Sequence, residues 1–291
     1  MRLNKNLWVL IVIFFMAACG GPKIMTSYKT DAESFETSGN FVQATEMWKQ
    51  YFSQVPVDET VGADFANAAN AAYKAGNPEQ AKSWFDQARY KNYSDAEMYA
   101  TLAKIYQSED NLSKELSSLE FYAENFGTSD NEVNSRLFEI YAEIDSNDKA
   151  LEIWESMNAE AKSTESNLVN YFNVNKALEN NEICDSVSKV LLQKNPNNIE
   201  ALEWNAKKYY WAGQKRYESE MAKYNKKKTR KNYNILLKQL DLVTADFKKA
   251  VPYLSKLWKL QPGKEYAGYL ANIYARFGDE KKTNYYKNYL K

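Results

Sequence analysis

Two cysteines, Cys19 and Cys184, are the residues of this 291-residue chain whose chemistry is most distinctive, and histidine is absent. Without histidine the chain has neither a Ser-His-Asp triad nor a Cys-His dyad, and it lacks the side chain that ordinarily titrates near neutral pH. A catalytic zinc site also normally includes histidine. We therefore expect no enzyme activity and no cofactor, and ask instead what the two thiols do.

Cys19 follows a segment with the composition of an export signal. A basic start precedes an apolar stretch at residues 7–15, and residues 16–18 (Met-Ala-Ala) lead directly into Cys19. A basic start, a short apolar run and small residues before a cleavage point are the parts of a secretory signal. An uncleaved anchor is the weaker alternative, because residues 7–18 are shorter than the roughly 20 apolar residues of a spanning helix.

A signal whose small residues end at cysteine resembles the lipobox of bacterial lipoproteins. The resemblance implies that residues 1–18 are a signal peptide, that Cys19 becomes the lipid-modified first residue, and that residues 19–25 are a short linker. In that family an Asp after the cysteine favours inner-membrane retention, and here the residue is Gly20. Residues 20–28 also lack the acid-rich tract of surface lipoproteins. The resemblance therefore implies an outer-membrane lipoprotein that faces the periplasm.

Cys184 has no disulfide partner within the chain if Cys19 carries a lipid. It is then either a small buried apolar residue of a helix or an exposed thiol that pairs with another molecule. We favour the buried residue.

The overall composition favours helices and excludes some classes of partner. The 38 basic and 38 acidic residues balance, which implies neither nucleic acid nor a strongly acidic partner. Glycine and proline are scarce, at 10 and 6 residues, as is typical of helices rather than sheets. The chain is long enough to bury a large core.

Residues of the same type recur along the chain at a nearly constant spacing. Gly39 and Gly76 are each followed by alanine and an aromatic residue at matching offsets, namely Ala44, Trp48, Ala81 and Phe85. Ala69, Ala103 and Phe138 are separated by 34 and 35 positions. Apolar residues at three- and four-residue spacing form one buried stripe per helix, and glycine, asparagine or aspartate between the stripes tolerates the left-handed backbone of a tight turn.

This pattern resembles the tetratricopeptide repeat (TPR), a unit of two antiparallel helices in about 34 residues. The resemblance implies an all-α, TPR-like α-solenoid over residues 26–291, with about seven to eight antiparallel helix pairs forming a right-handed superhelix. Each pair buries its apolar stripe only by stacking on its neighbours. The pattern is irregular around residues 165–195 and 213–245.

The last repeat ends in an aromatic cluster formed by Tyr285, Tyr286, Tyr289 and Leu290. These side chains either close the stack against the preceding helices or meet a partner, and we favour closure.

Candidate partner-binding residues come from the resemblance. In TPR proteins the first helix of each pair lines a concave face, and its ligand-facing positions correspond here to Asn70, Tyr73, Lys104, Gln107, Glu139, Lys207 and Tyr210. This mixed polar set suits an extended peptide or a helix of another protein. The competing interpretation for each residue is that it is only solvated.

A basic cluster lies where the repeat pattern is interrupted. It consists of Lys226, Lys227, Lys228, Arg230 and Lys231. It is either a solvated helix face or a patch that touches anionic lipid head groups or an acidic partner.

Taken with the TPR resemblance, the anchor predicts a lipid-anchored scaffold or adaptor that binds envelope proteins in an outer-membrane biogenesis, secretion or motility complex. Nucleic acid is not expected as a partner of an exported chain. The alternative is a periplasm-facing lipoprotein that binds a glycan or a peptide. Although the chain has 22 tyrosines, most fall on core positions of the repeats, which makes a glycan the weaker candidate.

Overall fold

The protein is described by a computed structural model that covers residues 22–291, with side chains from residue 27 onward. The described residues divide into two compact units, residues 22–126 and 127–291. The predicted signal peptide and Cys19 lie outside the described residues. Within the described range all regular secondary structure is helical. No helix in this range is both long and apolar enough to cross a membrane.

The first unit contains three helix pairs. Its helices are α1 (Pro22–Thr37), α2 (Phe41–Gln54), α3 (Gly62–Lys74), α4 (Pro78–Tyr90), α5 (Ala96–Ser108) and α6 (Leu112–Phe126), with a short 3-10 turn at Val57–Glu59. Each odd-numbered helix packs against the even-numbered helix that follows it. Helix α1 begins inside the predicted linker of residues 19–25, because proline at a first helical position has a suitable backbone angle and lacks only an N–H that the helix would not use.

The second unit contains four helix pairs. Its helices are α7 (Asn131–Glu143), α8 (Asn147–Ser156), the short α9 (Ala159–Lys162), α10 (Glu165–Ala177), α11 (Asn181–Lys194), α12 (Ile199–Lys226), α13 (Arg230–Leu260), α14 (Lys264–Arg276) and α15 (Glu280–Lys287), followed by a 3-10 turn at Asn288–Leu290. The pairs are α7/α8, α10/α11, α12/α13 and α14/α15. Seven pairs in the described chain confirm the prediction of an all-α, TPR-like stack of about seven to eight.

The turns inside most of the pairs share one backbone conformation. In six of the seven pairs a single residue with positive φ reverses the chain, and these residues are Gly39, Gly76, Asp110, Asp145, Glu179 and Gly278. After three of these turns an asparagine caps the next helix, where Asn40, Asn77 and Asn111 accept hydrogen bonds from the backbone N–H groups of Gln43, Gln80 and Lys114. The predicted role of glycine and aspartate in the turns is confirmed.

The core of the repeats combines small and large side chains. Ala44 and Ala81 are fully buried, and so are Trp48 and Phe85 four residues further along the same helices. The small side chains let neighbouring helices approach, while the aromatic ones fill the space between helices. Burying one large apolar side chain stabilises the fold by about 1.5–3 kcal/mol.

Residues 165–195 form the regular pair α10/α11, although their repeat pattern is weak. The reason is that asparagines occupy buried positions on α10. Asn167 is 5% exposed and donates hydrogen bonds to Ala161 O and Ser135 Oγ, and Asn175 is fully buried and donates to Tyr171 O. Internal hydrogen bonds satisfy these polar side chains inside the repeat. The asparagines nevertheless interrupt the regular spacing of apolar residues by which the repeat is recognised in the sequence.

Residues 213–245 belong to a hairpin of two long helices. Helix α12 has 28 residues and α13 has 31, whereas the other paired helices have 8 to 16. The two helices approach closely at Gly213, where an added Cβ would lie 3.2 Å from the ring of Phe247. Their turn, residues 227–229, contains no positive-φ residue. The predicted irregularity here is an extension of one pair rather than a break in the stack.

The C-terminal aromatic residues pack on the preceding helices. Trp258 on α13 makes edge contacts with Tyr286 and Tyr289, at ring-centroid distances of 5.5 and 4.7 Å, and Tyr274 stacks on Tyr286 at 5.8 Å. These contacts agree with closure of the last pair, the interpretation that the sequence favours.

Candidate functional site

An open groove runs along helix α12 in the second unit. We call it the α12 groove, and its volume is about 780 Å³. It is lined by Lys176 on α10, Asn181 and Asp185 on α11, and Glu203, Trp204, Lys207, Lys208, Trp211, Ala212 and Lys215 on α12. The volume is within the usual range of ligand sites in proteins, roughly 300–1,000 Å³.

Trp204 forms one wall of the groove and is held at both edges. Its indole Nε1–H donates a hydrogen bond to Asp185 Oδ1 over 2.9 Å. Its ring meets the buried Phe172 edge-on, with centroids 5.6 Å apart and planes at 88°. The contact to a core residue and the hydrogen bond to a neighbouring helix together fix the orientation of the indole.

Asp185 is the acidic residue that holds this wall of the groove together. Burial raises the pKa of its carboxyl, but hydrogen bonds from Lys208 and Trp204 outweigh burial, so that the net pKa lies below its usual value. Lys208 Nζ lies 2.5 Å from Asp185 Oδ2. The carboxylate is therefore charged at neutral pH, and both of its oxygens are engaged within the protein.

Trp211 presents an exposed aromatic surface in the same groove. Its side chain is 46% exposed, and its ring contacts Tyr210 edge-on at a centroid distance of 5.3 Å. Tyr210 is itself fixed, because it is only 6% exposed and its hydroxyl accepts a hydrogen bond from Asn272 Nδ2. A half-exposed tryptophan that rests against a fixed neighbour is well suited to bind an apolar side chain.

Lys207 and Glu203 connect the groove to helix α14. Lys207 Nζ lies 3.1 Å from Glu265 and 3.6 Å from Glu203. Burial lowers the pKa of Lys207, but the hydrogen bond to Glu265 and the charge of Glu203 outweigh it, and the net pKa is raised. Glu203 also accepts a hydrogen bond from the hydroxyl of Tyr266, whose pKa is raised by burial and by this bond.

The groove carries a surplus of positive charge. Four lysines line it against two acids. Both acids are engaged by contacts within the unit, as described above. Within the described part of the chain, Lys176 and Lys215 form no ion pair, and both side chains are exposed. These two cations are available to a negatively charged ligand.

The structure places two of the candidate residues of the second unit at or behind this groove. Lys207 lines it, whereas Tyr210 is buried behind Trp211 and is not presented to a ligand. Glu139 lies elsewhere in the unit, on α7, where it is half-buried and pairs with Arg136 at 2.7 Å.

The candidate residues of the first unit differ in their exposure. Asn70 is only 6% exposed, and its Oδ1 accepts a hydrogen bond from the hydroxyl of Thr101, so that it supports the packing of α3 on α5. Tyr73 is half-buried, and Lys104 and Gln107 are exposed on α5. Asn70 is therefore removed from the candidate binding surface, because its polar group is already used inside the unit.

The basic cluster of residues 226–231 lies at the turn of the long hairpin. All five of its cationic side chains are exposed, and none forms an ion pair with the described part of the chain. It is separate from the α12 groove along the helix, because the groove ends at Lys215.

The sequence reasoning missed most of the α12 groove. Trp204, Lys208, Trp211 and Lys215 follow one another at four-, three- and four-residue spacing, which places them on one face of a helix. Two tryptophans seven residues apart were the available signal. The repeat resemblance does not single these residues out, because the family's ligand positions fall on an adjacent face of this helix.

Metal ligands do not cluster in the described residues. No group of three or more cysteine, aspartate or glutamate side chains in residues 22–291 is arranged to hold a metal ion. The aromatic and charged side chains are thus the groups through which the α12 groove could bind a ligand.

No protein-family profile matches the chain, and no curated protein matches it either. Solved structures similar to it include YrrB, which is described as a TPR protein with an unusual peptide-binding site. The match has 16% sequence identity and a TM-score of 0.48, and it covers 60% of this chain and 89% of that chain.

A TPR protein from Parabacteroides merdae covers 92% of this chain and 94% of its own, with 12% identity and a TM-score of 0.47. A TPR repeats protein from Bacteroides fragilis covers 91% and 98%, with 16% identity and a TM-score of 0.35. With likenesses this distant, the assignment of the fold rests on the helix pairs themselves.

Proposed function

We propose that this protein is a non-catalytic TPR-type scaffold that captures extended, acidic segments of partner proteins in the α12 groove. The observation that carries the proposal is that the exposed Trp211 lines the same groove as a fixed Trp204 and two unpaired lysines. An extended segment can place an apolar side chain against Trp211 while its carboxylates approach Lys176 and Lys215. Peptide recognition in grooves commonly combines an apolar anchor with such charge contacts.

The charge of the groove favours an acidic peptide over a neutral glycan. Tryptophan also stacks on sugars, but a neutral sugar would leave the two unpaired lysines without a counter-charge. An acidic segment satisfies both the aromatic and the cationic parts of the surface. For this reason we do not advance the glycan alternative.

The proposal also includes the location of the scaffold. The export signal and Cys19 support a lipid-anchored protein of the outer membrane that faces the periplasm, with envelope proteins as partners in an assembly for outer-membrane biogenesis, secretion or motility. The support comes from the sequence around Cys19, which lies outside the described residues.

Site-specific photocrosslinking in the native host tests the groove. A photoreactive amino acid replaces Trp211, and a second chain carries it in place of Tyr90, which is 76% exposed in the first unit. We expect position 211 to crosslink a small, reproducible set of envelope proteins that position 90 does not. If position 211 returns no specific protein, or the same proteins as position 90, the groove is not the binding site.

A pair of matched variants then measures the contribution of the groove to capture. Trp211→Ala with Lys215→Glu removes the anchor and reverses one unpaired charge, and should lower recovery of the crosslinked partner at least about tenfold, since a buried aromatic anchor contributes 2 kcal/mol or more. Tyr90→Ala with Lys281→Glu makes the same changes at exposed positions outside the groove. Equal recovery with both variants would contradict the proposal.

A further inference from the structure

The turn end of the α12/α13 hairpin concentrates positive charge in a chain whose total charge is zero. We call residues 221–238 the hairpin tip. It carries six lysines and one arginine and no acidic residue. The nearest acidic residues along the two arms are Glu220 and Asp241, so the segment between them produces a strong positive local potential.

Most of these cations have no counter-charge within the protein. Lys223 pairs with Glu220 at 2.6 Å, but Lys226, Lys227, Lys228, Arg230 and Lys231 form no ion pair with the described residues. The end of the hairpin is closed by neutral contacts: Asn232 donates a hydrogen bond to Lys227 O, and Tyr224 contacts Tyr233 at a centroid distance of 5.9 Å.

The tip projects from the body of the repeats. The core around the hairpin extends outward only as far as Tyr217 on α12 and Leu240 on α13. Beyond these residues the described hydrogen bonds, ion pairs and ring contacts stay within the hairpin. Each arm continues for about ten residues, because α12 ends at Lys226 and α13 begins at Arg230, which at 1.5 Å per residue is roughly 15 Å of helix.

Apolar side chains accompany the cations on this projection. Tyr233, Ile235 and Leu237 are 45–47% exposed. Ile235 also lies between Lys231 and Lys238 at four- and three-residue spacing, so that one face of α13 alternates cationic and apolar side chains. Aliphatic residues half-exposed on a helix that packs only against its partner arm are available to a second surface.

We propose that the hairpin tip docks on an anionic phospholipid bilayer. Lysine ammonium groups attract acidic head groups, tyrosine rings favour the bilayer interface, and short aliphatic side chains reach the boundary of the acyl chains. The hollow between Glu220, Tyr224 and Leu236 at the tip has a volume of only about 170 Å³, too small for a peptide segment. A lysine-rich projection suits a flat, deformable lipid surface better than a protein interface, whose centre is poor in lysine.

This inference does not depend on the α12 groove or on the lipid at Cys19. Residues 22–291 contain every described helix and the described core, so this segment serves for the test, and its circular dichroism spectrum checks that it is folded. Binding is measured by co-sedimentation with vesicles of equal parts phosphatidylglycerol and phosphatidylethanolamine, and with vesicles of phosphatidylcholine alone. We expect binding to the anionic vesicles only, and weaker binding as salt increases.

Two variants distinguish an effect of the hairpin tip from an effect of the total charge of the protein. One replaces Lys226, Lys227, Lys228, Arg230 and Lys231 by glutamine, and the control replaces the exposed lysines Lys189, Lys194, Lys248, Lys259 and Lys287. We expect the tip variant to bind at least about 100-fold more weakly, since each basic residue near an anionic membrane contributes on the order of a fivefold change. The control should bind within about tenfold of the parent chain. Equal losses in both variants, or no loss in the tip variant, would overturn the proposal.

A dye locates the contact directly. Asn225→Cys places a thiol in the tip and Lys281→Cys places one away from it, while the native Cys184 is buried and does not compete for labelling. An environment-sensitive dye at position 225 should shift to shorter wavelength with anionic vesicles, and the dye at position 281 should not. Tip-dependent crosslinking to an acidic protein in cells, without vesicle binding by the folded chain, would replace the lipid by a protein partner and refute the inference.

Discussion

Trp204 and Asp185 are joined by a hydrogen bond of 2.9 Å from the indole Nε1–H to Oδ1, and the other oxygen of Asp185 accepts from Lys208. One carboxylate on α11 thus orients two side chains of the α12 groove. Removing it would leave both side chains on α12 without their partner on the neighbouring helix.

Asp185→Asn should therefore destabilise the protein in a pH-dependent way. The folded pKa of Asp185 is below its usual value, so the carboxylate contributes stability above the unfolded pKa of about 3.9, and this contribution is lost as pH falls through the folded pKa. At pH 7 we expect a loss of about 1 kcal/mol, which disappears in strong acid. Urea unfolding between pH 7 and pH 2 measures it. Glu124→Gln, at an exposed site of the first unit, is the control, and a loss for Asp185→Asn that is constant with pH would contradict the assignment.

Gly213→Ala should destabilise the long hairpin, although alanine is the better helix former. The new Cβ would lie 3.2 Å from the ring of Phe247, which is 1% exposed and has no space to move into. We expect a net loss of about 1 kcal/mol in the free energy of unfolding. The matched variant Gly268→Ala, whose Cβ would meet only Leu290 at 3.9 Å, should instead gain about 0.5–1 kcal/mol. Two changes of the same sign would mean that the close approach at Gly213 is unimportant.

Glu179→Gly should stabilise the second unit. Glu179 has a φ of 58°, a left-handed conformation that costs a residue with a side chain about 1–2 kcal/mol. After the entropic cost of glycine, we expect a gain of about 0.5–1 kcal/mol in thermal or urea unfolding. The control, Glu182→Gly, lies within helix α11 and should lose about 1 kcal/mol. A loss in both variants would show that the turn is not strained.

Cys184 should react with thiol reagents only when the second unit opens. Its side chain is fully buried, and burial raises the pKa of the thiol. With Cys19 replaced by serine, we expect labelling in native buffer to be at least about 1,000-fold slower than in urea, because access requires local or global unfolding. The exposed thiol of an Asn225→Cys variant provides the rate for free access. Similar rates at the two positions would contradict burial.

Cys19→Ser should release the protein from membranes without unfolding it. The proposed lipid is attached outside the described helices, and we expect the variant to move to the soluble fraction of lysed cells while its circular dichroism spectrum stays helical. Alanine in place of Ser27, a nearby polar residue of α1, is the control and should stay with the membrane. A soluble parent chain, or loss of helicity in Cys19→Ser, would refute the anchor as proposed.

The repeats could be predicted from sequence because their turns and core positions use residues with narrow physical roles. Glycine or aspartate with positive φ marks the turns at Gly39, Gly76 and Asp110, and alanine marks close helix contacts. The pair at residues 165–195 was harder to recognise, since Asn167 and Asn175 satisfy their amides internally and read as surface residues.

The candidate site was predictable only in part, because exposure depends on how each helix is rotated against its neighbours. Lys207, Asn70 and Tyr210 all occupy ligand-facing positions of the repeat. Lys207 lies in the α12 groove, whereas the polar groups of Asn70 and Tyr210 form hydrogen bonds with Thr101 and Asn272 inside the protein. A polar residue type does not reveal whether its partner is water, a ligand or the next helix. Trp211 stands out only through the exposure of its ring, which the sequence does not show.

The turn at residues 227–229 has one more consequence. In the other six pairs of the described chain, a left-handed residue at a fixed place sets where each helix must end, whereas this turn contains none. Adding seven residues to each arm would keep the same faces in register and move the turn outward by about 10 Å, without disturbing the repeats. The length of this hairpin is thus a dimension that evolution or a protein engineer can adjust independently of the rest of the fold.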